Sequence, residues 1–197
     1  MRQDLALDGR RSGVVLRQLW LPFACYLPAS GVLLAAGVAA GLGPSRASLA
    51  TLAGFLSWSL GEYLIHRFWL HSRGRRILRL AQRHLLHHKS PVDHPGTIRP
   101  WLSACVGAGL WSLSAATLGP ATGCALVAGV LVGYLCYEFV HLAAHRGPQP
   151  LTPWGRYLRA HHLAHHTRSA RANYAIVCPL WDVLFGTRLA SPPQPRG

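Results

Sequence analysis

The chain alternates long apolar blocks with short basic ones. No charged residue occurs between Arg17 and Arg46, and none between Arg99 and Glu138. Each gap is longer than the roughly 20 apolar residues that cross a bilayer core. The first predicts a span over about 19–42, with Pro22 and Pro28 tolerated near its end or as a kink. After the turn "GPSRAS" a second span is expected over about 49–70, less apolar at its end, where it carries Glu62, His66 and Arg67. The block from Trp101 to His145 is too long for one crossing. The Gly-Pro turn signal in "LGPATG" divides it into spans of about 101–118 and 123–144.

The polar segments have patterns of their own. In "SRGRRILRLAQRHLLHH", residues 72–88, apolar positions recur among basic ones as in an amphipathic helix at a membrane surface, and Pro91, Pro95 and Pro100 end regular helix. The tail predicts a helix around Trp154–His166, and "SPPQPRG" at its end reads as disordered. The fold expected is all-α and integral to the membrane, with four transmembrane helices and a cytoplasmic helical cap holding a histidine-rich dimetal site. A cytoplasmic segment 1–18 precedes a membrane domain over 19–188, and 189–197 is the disordered tail.

Charge orients this arrangement. Lys and Arg number 20 against 6 Asp and Glu, for a net charge of +14. In a soluble domain that excess would point to nucleic acid. Here the four spans leave only Arg46 in a loop on the far side, and the positive-inside rule makes the basic side cytoplasmic. N-terminus, C-terminus and histidine-rich segments therefore face the cytoplasm. Trp20, Trp69, Trp101 and Trp154 fall near the same interface, as an aromatic belt would. The basic charge is read as topology plus attraction to anionic lipid, with no nucleic-acid partner. Cys25, Cys105, Cys124, Cys136 and Cys178 form no C-x-x-C pair, so neither a disulfide framework nor a zinc ribbon is read from them.

The chemistry lies in the histidines. The second span ends "HRFWLH" (His66, His71), and the loop after it carries "HLLHH" (His84, His87, His88). The fourth span ends "HLAAH" (His141, His145), and the tail carries "HLAHH" (His162, His165, His166). The order is doubled: a spaced pair at a span end, then H-x-x-H-H. On a helix, positions i, i+3 and i+4 share a face, so each H-x-x-H-H is expected to aim three imidazoles at one point. His141 and His145 also share a face. His66 and His71 lie about 140° apart on an ideal helix, so that helix is expected to end or loosen between them. Neutral imidazole suits iron, zinc, copper and nickel, and these ten ligands are too many for one ion and about right for two.

Glu62 and Glu138 precede the span-end histidines and are expected as their hydrogen-bond partners or as direct ligands. His94 could add a ligand or carry a proton, and His161 could support the site or face solvent. Tyr174, Trp181 and Asp182 are candidates for substrate contact or for anchoring the tail. No catalytic group beyond the metal ligands is named by the sequence.

The series "HRFWLH", "HLLHH", "HLAAH", "HLAHH", with the closing "NYAIVCPLWDVLFGT", resembles the membrane fatty acid hydroxylase and sterol desaturase superfamily over about residues 55–188. "GEYLIHRFWLH" and "RYLRAHHLAHH" look most like its fatty acid 2-hydroxylase branch. The resemblance implies two iron ions, dioxygen and hydroxylation of a lipid acyl chain, although zinc could occupy a purified sample. Eukaryotic members of that branch often carry a fused cytochrome b5 domain. This chain leaves no room for one, so a separate donor, cytochrome b5-like or ferredoxin-like, is implied. Carotenoid hydroxylation, and sterol or hopanoid oxidation or desaturation, are the alternatives for such a centre. A metal-binding membrane protein without catalysis is the alternative of another class, and a transporter is disfavoured because the histidines cluster at one end of the spans.

Overall fold

The computed structural model describes residues 2–71, 79–91 and 100–190, with side chains for 20–71, 79–91 and 105–190. His94, the first part of the expected amphipathic helix and the tail beyond 190 lie outside the described residues, as does the side chain of Trp101. The described chain is helical without a strand: α1 (Arg2–Ala39), α2 (Pro44–Ile65), a π-helical turn (His66–Leu70), α3 (Arg79–Lys89), α4 (Pro100–Leu118), α5 (Pro120–Arg146), α6 (Pro153–Thr167) and α7 (Leu180–Leu184). The break between α4 and α5 falls on Gly119, whose φ of 87° is cheap only for glycine, and Pro120 then opens α5 where its missing N–H is no loss.

The chain divides into two compact units, Met1–Trp58 with Thr97–Phe139, and Ser59–Gly96 with Val140–Gly197. The first is built on a close approach of two helix backbones. A Cβ placed on Gly54 of α2 would lie 1.9 Å from the carbonyl oxygen of Leu126, and one on Gly129 of α5 would lie 1.9 Å from that of Thr51. Glycine is required at both positions because backbone meets backbone, as small residues permit in membrane helix pairs. Tyr26, Trp58 and Tyr134 pack edge to face beside this crossing.

Many large apolar side chains of this unit are exposed, among them Trp20, Leu27 and Val32 on α1, Leu49, Leu52 and Leu56 on α2, and Leu113 and Leu118 on α4. Ser30 and Ser114 are buried, and their hydroxyls return to helix carbonyls. Trp20–Ala39 and Pro120–Arg146 are long and apolar enough to cross a membrane, and Cys105–Leu118 is apolar but shorter. An apolar exterior on helices of this kind is what a membrane protein requires.

The second unit carries the chemistry. It receives the C-terminal ends of α2 and α5 by chain continuity, and adds α3, α6 and α7. Thr152 caps α6 by accepting from the Gly155 amide, with Pro153 at the first helical position. The buried side of α6 is Leu158, His161, His162 and His165, a helical stripe made mostly of imidazoles.

Candidate metal centre

The spacing H-x-x-x-x-H decides the local structure at the end of α2. On an α-helix its two rings would point apart. The π turn over His66–Leu70, closed by the His71 amide donating to the His66 carbonyl at 3.2 Å, widens the helix by one residue. The rings of His66 and His71 then meet, centroids 4.9 Å apart. "HLAAH" needs no such device, because His141 and His145 share a face of regular α5 with centroids 5.2 Å apart.

Two groups of imidazoles result. One is His66, His71, His84, His88 and His165; the other is His87, His141, His145, His162 and His166. In each, the ligand atoms all lie within 4.8 Å of one another. The expectation that each H-x-x-H-H aims three rings at one point is corrected here. His84 and His88 join one group while His87 turns to the other. Likewise His162 and His166 join one group while His165 turns to the other. Each motif therefore gives its outer pair to its own half and its middle histidine to the opposite half. The reason is angular: positions i and i+4 diverge by about 40° and the middle residue lies about 60° beyond, so two acceptor points side by side divide the triplet.

The first group has the shape of a square pyramid. Nε2 of His71 stands at the apex, 3.2 Å from that of His66, 2.8 Å from His84, 3.2 Å from His88 and 3.0 Å from His165. Around the base, His66 to His84 is 3.1 Å, His84 to His88 is 3.1 Å and His88 to His165 is 3.2 Å. The rings of His165 and His66 close the circuit at 4.6 Å. The second group repeats the plan with His145 at the apex, its ring 4.8, 5.2, 4.9 and 4.4 Å from His87, His141, His162 and His166. Its base runs His87, His141, His162, His166 and back, with centroids 4.6, 4.9, 4.7 and 4.8 Å apart. The two groups adjoin where His88 stacks on His166 at 4.1 Å.

Metal ions fit this donor set. Nδ1 of His66 donates to the Tyr174 carbonyl and Nδ1 of His165 to the Ala172 carbonyl, so each ring presents a bare lone pair on Nε2. Lone pairs crowded at about 3 Å repel unless a cation lies between them. Imidazole nitrogens bound about 2.0–2.1 Å from a metal ion sit about 3 Å apart at neighbouring octahedral corners, which is the spacing observed. His166 has neither buried ring nitrogen hydrogen-bonded among the described residues, a cost that a metal bond to one of them would offset.

Electrostatics agree. Burial first, then repulsion from neighbouring imidazoles, lowers the pKa of His71 to about 3 and of His88 to about 2, from 6.5. Burial brings His165 to about 4, against the opposing pull of the Ala172 carbonyl. His84 and His162 are held well below their ordinary value for the same reasons. The rings are neutral at physiological pH, the state that binds metal.

The remaining candidates fall elsewhere. Glu62 belongs to neither imidazole group. Its carboxylate accepts the amides of Ile176 at 2.8 Å and Val177 at 3.4 Å. Glu138, in the other unit, accepts from the Tyr134 hydroxyl. His161 is buried rather than solvent-facing, and its Nε2 pairs with Asp182 at 3.0 Å. Asp182, fully buried, also accepts the amides of Tyr174 (2.8 Å) and Ala175 (2.9 Å) and the Thr187 hydroxyl (2.7 Å). Tyr174 lays its ring against His66, His71 and His165, and Trp181 donates to the Ser59 hydroxyl at 3.1 Å.

Sequence reading missed Tyr63 and Asn173 as supports. Tyr63, fully buried, receives Arg67 at 2.7 Å and pairs with Thr187 at 3.0 Å. Asn173 stands at φ 54°, a conformation asparagine adopts more readily than most residues, and its side chain binds the His161 carbonyl and the Leu189 amide. Its place at the head of "NYAIV" was the one available signal.

The fatty acid hydroxylase family model matches residues 51–187, which brackets both imidazole groups. The chain belongs to the fatty acid hydroxylase family. That makes it an oxidoreductase, and its relatives place it with the fatty acid 2-hydroxylases. It is 35% identical over 173 residues to the dihydroceramide fatty acyl 2-hydroxylase FAH2 of Arabidopsis thaliana, covering 86% of this chain and 70% of that one. It is 32% identical over 149 residues to the fatty acid 2-hydroxylase of Homo sapiens, covering 73% and 40%. A solved structure described as full-length scs7p, with only its hydroxylase domain visible, superposes with a TM-score of 0.76 at 27% identity, covering 87% of this chain and 67% of that one.

Proposed function

We propose that this chain is a membrane-bound non-haem di-iron oxygenase that hydroxylates the acyl chain of a lipid at carbon 2, using dioxygen and electrons from a separate donor. The observation that carries the reading is the pair of adjoining five-imidazole groups, each spaced as the ligands of one ion. His66, His71, His84, His88 and His165 would hold one iron, and His87, His141, His145, His162 and His166 the other. The names of the relatives, dihydroceramide fatty acyl and fatty acid 2-hydroxylases, support a ceramide-type or free acyl chain as substrate.

When bound, such a pair supplies the activation of dioxygen that an unactivated C–H bond needs. In the overall balance one oxygen atom enters the C–H bond and the other leaves as water, consuming an electron pair and two protons from outside. The protein's part is to keep ten imidazoles neutral, aim their lone pairs at two points and exclude competing ligands. The chain is further proposed to cross the membrane four times with its termini and metal centre cytoplasmic, so that an acyl chain arrives from the bilayer. Exposed Leu64, Ile65, Phe68 and Trp69 beside the first group support that route.

The test is a lipid extract from cells with and without the protein, grown with oxygen-18 gas. A gain of one heavy oxygen at carbon 2 of fatty acyl chains is expected, lost in His162→Ala. A gain on a carotenoid or sterol, or none with a metal-loaded protein and a competent donor, would refute the proposal.

A further inference from the structure

Two first-group histidines rest on one short segment of irregular chain. His66 donates to the carbonyl of Tyr174 and His165 to that of Ala172. Nothing in regular secondary structure fixes residues 172–177, yet they must be held closely for those carbonyls to aim the two rings. Buried carboxylates hold them. Asp182 takes the amides of Tyr174 and Ala175, and Glu62 takes those of Ile176 and Val177.

One contact is more direct than the rest. The amide of Ala175 and the carbonyl of Tyr174 belong to the same planar peptide group. That group donates to Asp182 Oδ2 at 2.9 Å through its N–H and accepts from His66 through its oxygen. A carboxylate on the N–H end polarises the peptide and makes its carbonyl a stronger acceptor. The carboxylate–histidine–metal relay common in metal sites is here extended by one peptide.

We propose that Asp182 is a positioning residue for the first group, acting on His66 through the Tyr174–Ala175 peptide, with Glu62 holding the next two amides in register. The inference rests on reading the imidazole groups as metal centres. Asp182 touches no ligand nitrogen of either group. Its other partners, Thr187 and His161, fix its own orientation, and Tyr63 and Arg67 extend the chain of hydrogen bonds behind Thr187.

The experiment is a cobalt(II) titration of the full chain purified in detergent, in two backgrounds. His141→Ala/His145→Ala leaves only the first centre, and His71→Ala/His84→Ala leaves only the second. Asp182→Asn, which keeps the size and removes the charge, is expected to raise the dissociation constant of the first centre by about 10–100-fold and leave the second unchanged. Equal weakening of both centres in folded protein, or of neither, overturns the proposal. Should Asp182→Asn fail to fold, Glu62→Gln decides by the same selectivity: loss confined to the first centre supports the clamp, and any other pattern refutes it. A parent protein that binds no cobalt would refute the metal reading itself, a result distinct from loss of the clamp.

Discussion

His66 and His71 meet ring to ring at 4.9 Å although five positions separate them, because the helix opens into a π turn between them. The extra residue is therefore part of the site. Inserting one alanine between Phe68 and Trp69 would set the pair six positions apart, about 240° on an α-helix. Metal content is expected to fall from two ions per chain to one, with the second centre retained. Retention of both ions would show that the turn does not set the ligand geometry.

The middle histidines are exchanged between halves. His165→Ala is expected to weaken the centre built on His66 and His84, and His87→Ala the centre built on His141 and His162. Cobalt absorption in the two single-centre backgrounds reads this directly. If His165→Ala instead weakened the centre containing His162 and His166, the assignment would be wrong.

Acid should unfold the metal-free protein by way of these rings. His165, His71 and His88 titrate near 4, 3 and 2 when folded and near 6.5 when unfolded. Above 6.5 neither state carries the proton and stability is full. Below it the unfolded chain takes up protons that the folded chain refuses, so stability is lost as pH falls towards the folded values. The thermal midpoint of the metal-free protein is expected to drop from neutral to mildly acidic pH. A midpoint that is flat or rises over that range would contradict burial of neutral imidazoles.

Gly129 is a packing residue with no room for a side chain. Gly129→Leu forces α2 and α5 apart and is expected to cost about 1–3 kcal/mol or more, seen as a lower midpoint or loss of folded protein in detergent. Gly61, in α2, has open space around its Cβ position, so Gly61→Ala is expected to be neutral or to stabilise by about 0.5–1 kcal/mol. Equal effects of the two changes would argue against the close crossing.

The sequence by itself determined the helical class, the break at Gly119 and the identity of the histidines that converge. Those follow from local rules: apolar run length, turn chemistry, and the restriction that few residues other than histidine offer a neutral nitrogen to a metal. It also determined that regular α-helix had to end or loosen between His66 and His71, since 3.6 residues per turn cannot bring positions five apart together; the π turn itself comes from the structure. Tertiary structure decided how those histidines divide. Spacing along α3 puts His84, His87 and His88 near one face, but whether a ring joins its own half or the opposite one depends on where α6 lies, and that is set by packing between segments distant in the chain. The same holds for Asp182 and Glu62. In sequence they are acidic residues near aromatic neighbours, and only the fold brings both carboxylates to the amides of one strip of backbone, where burial makes an unmet N–H costly and a carboxylate the strongest acceptor available.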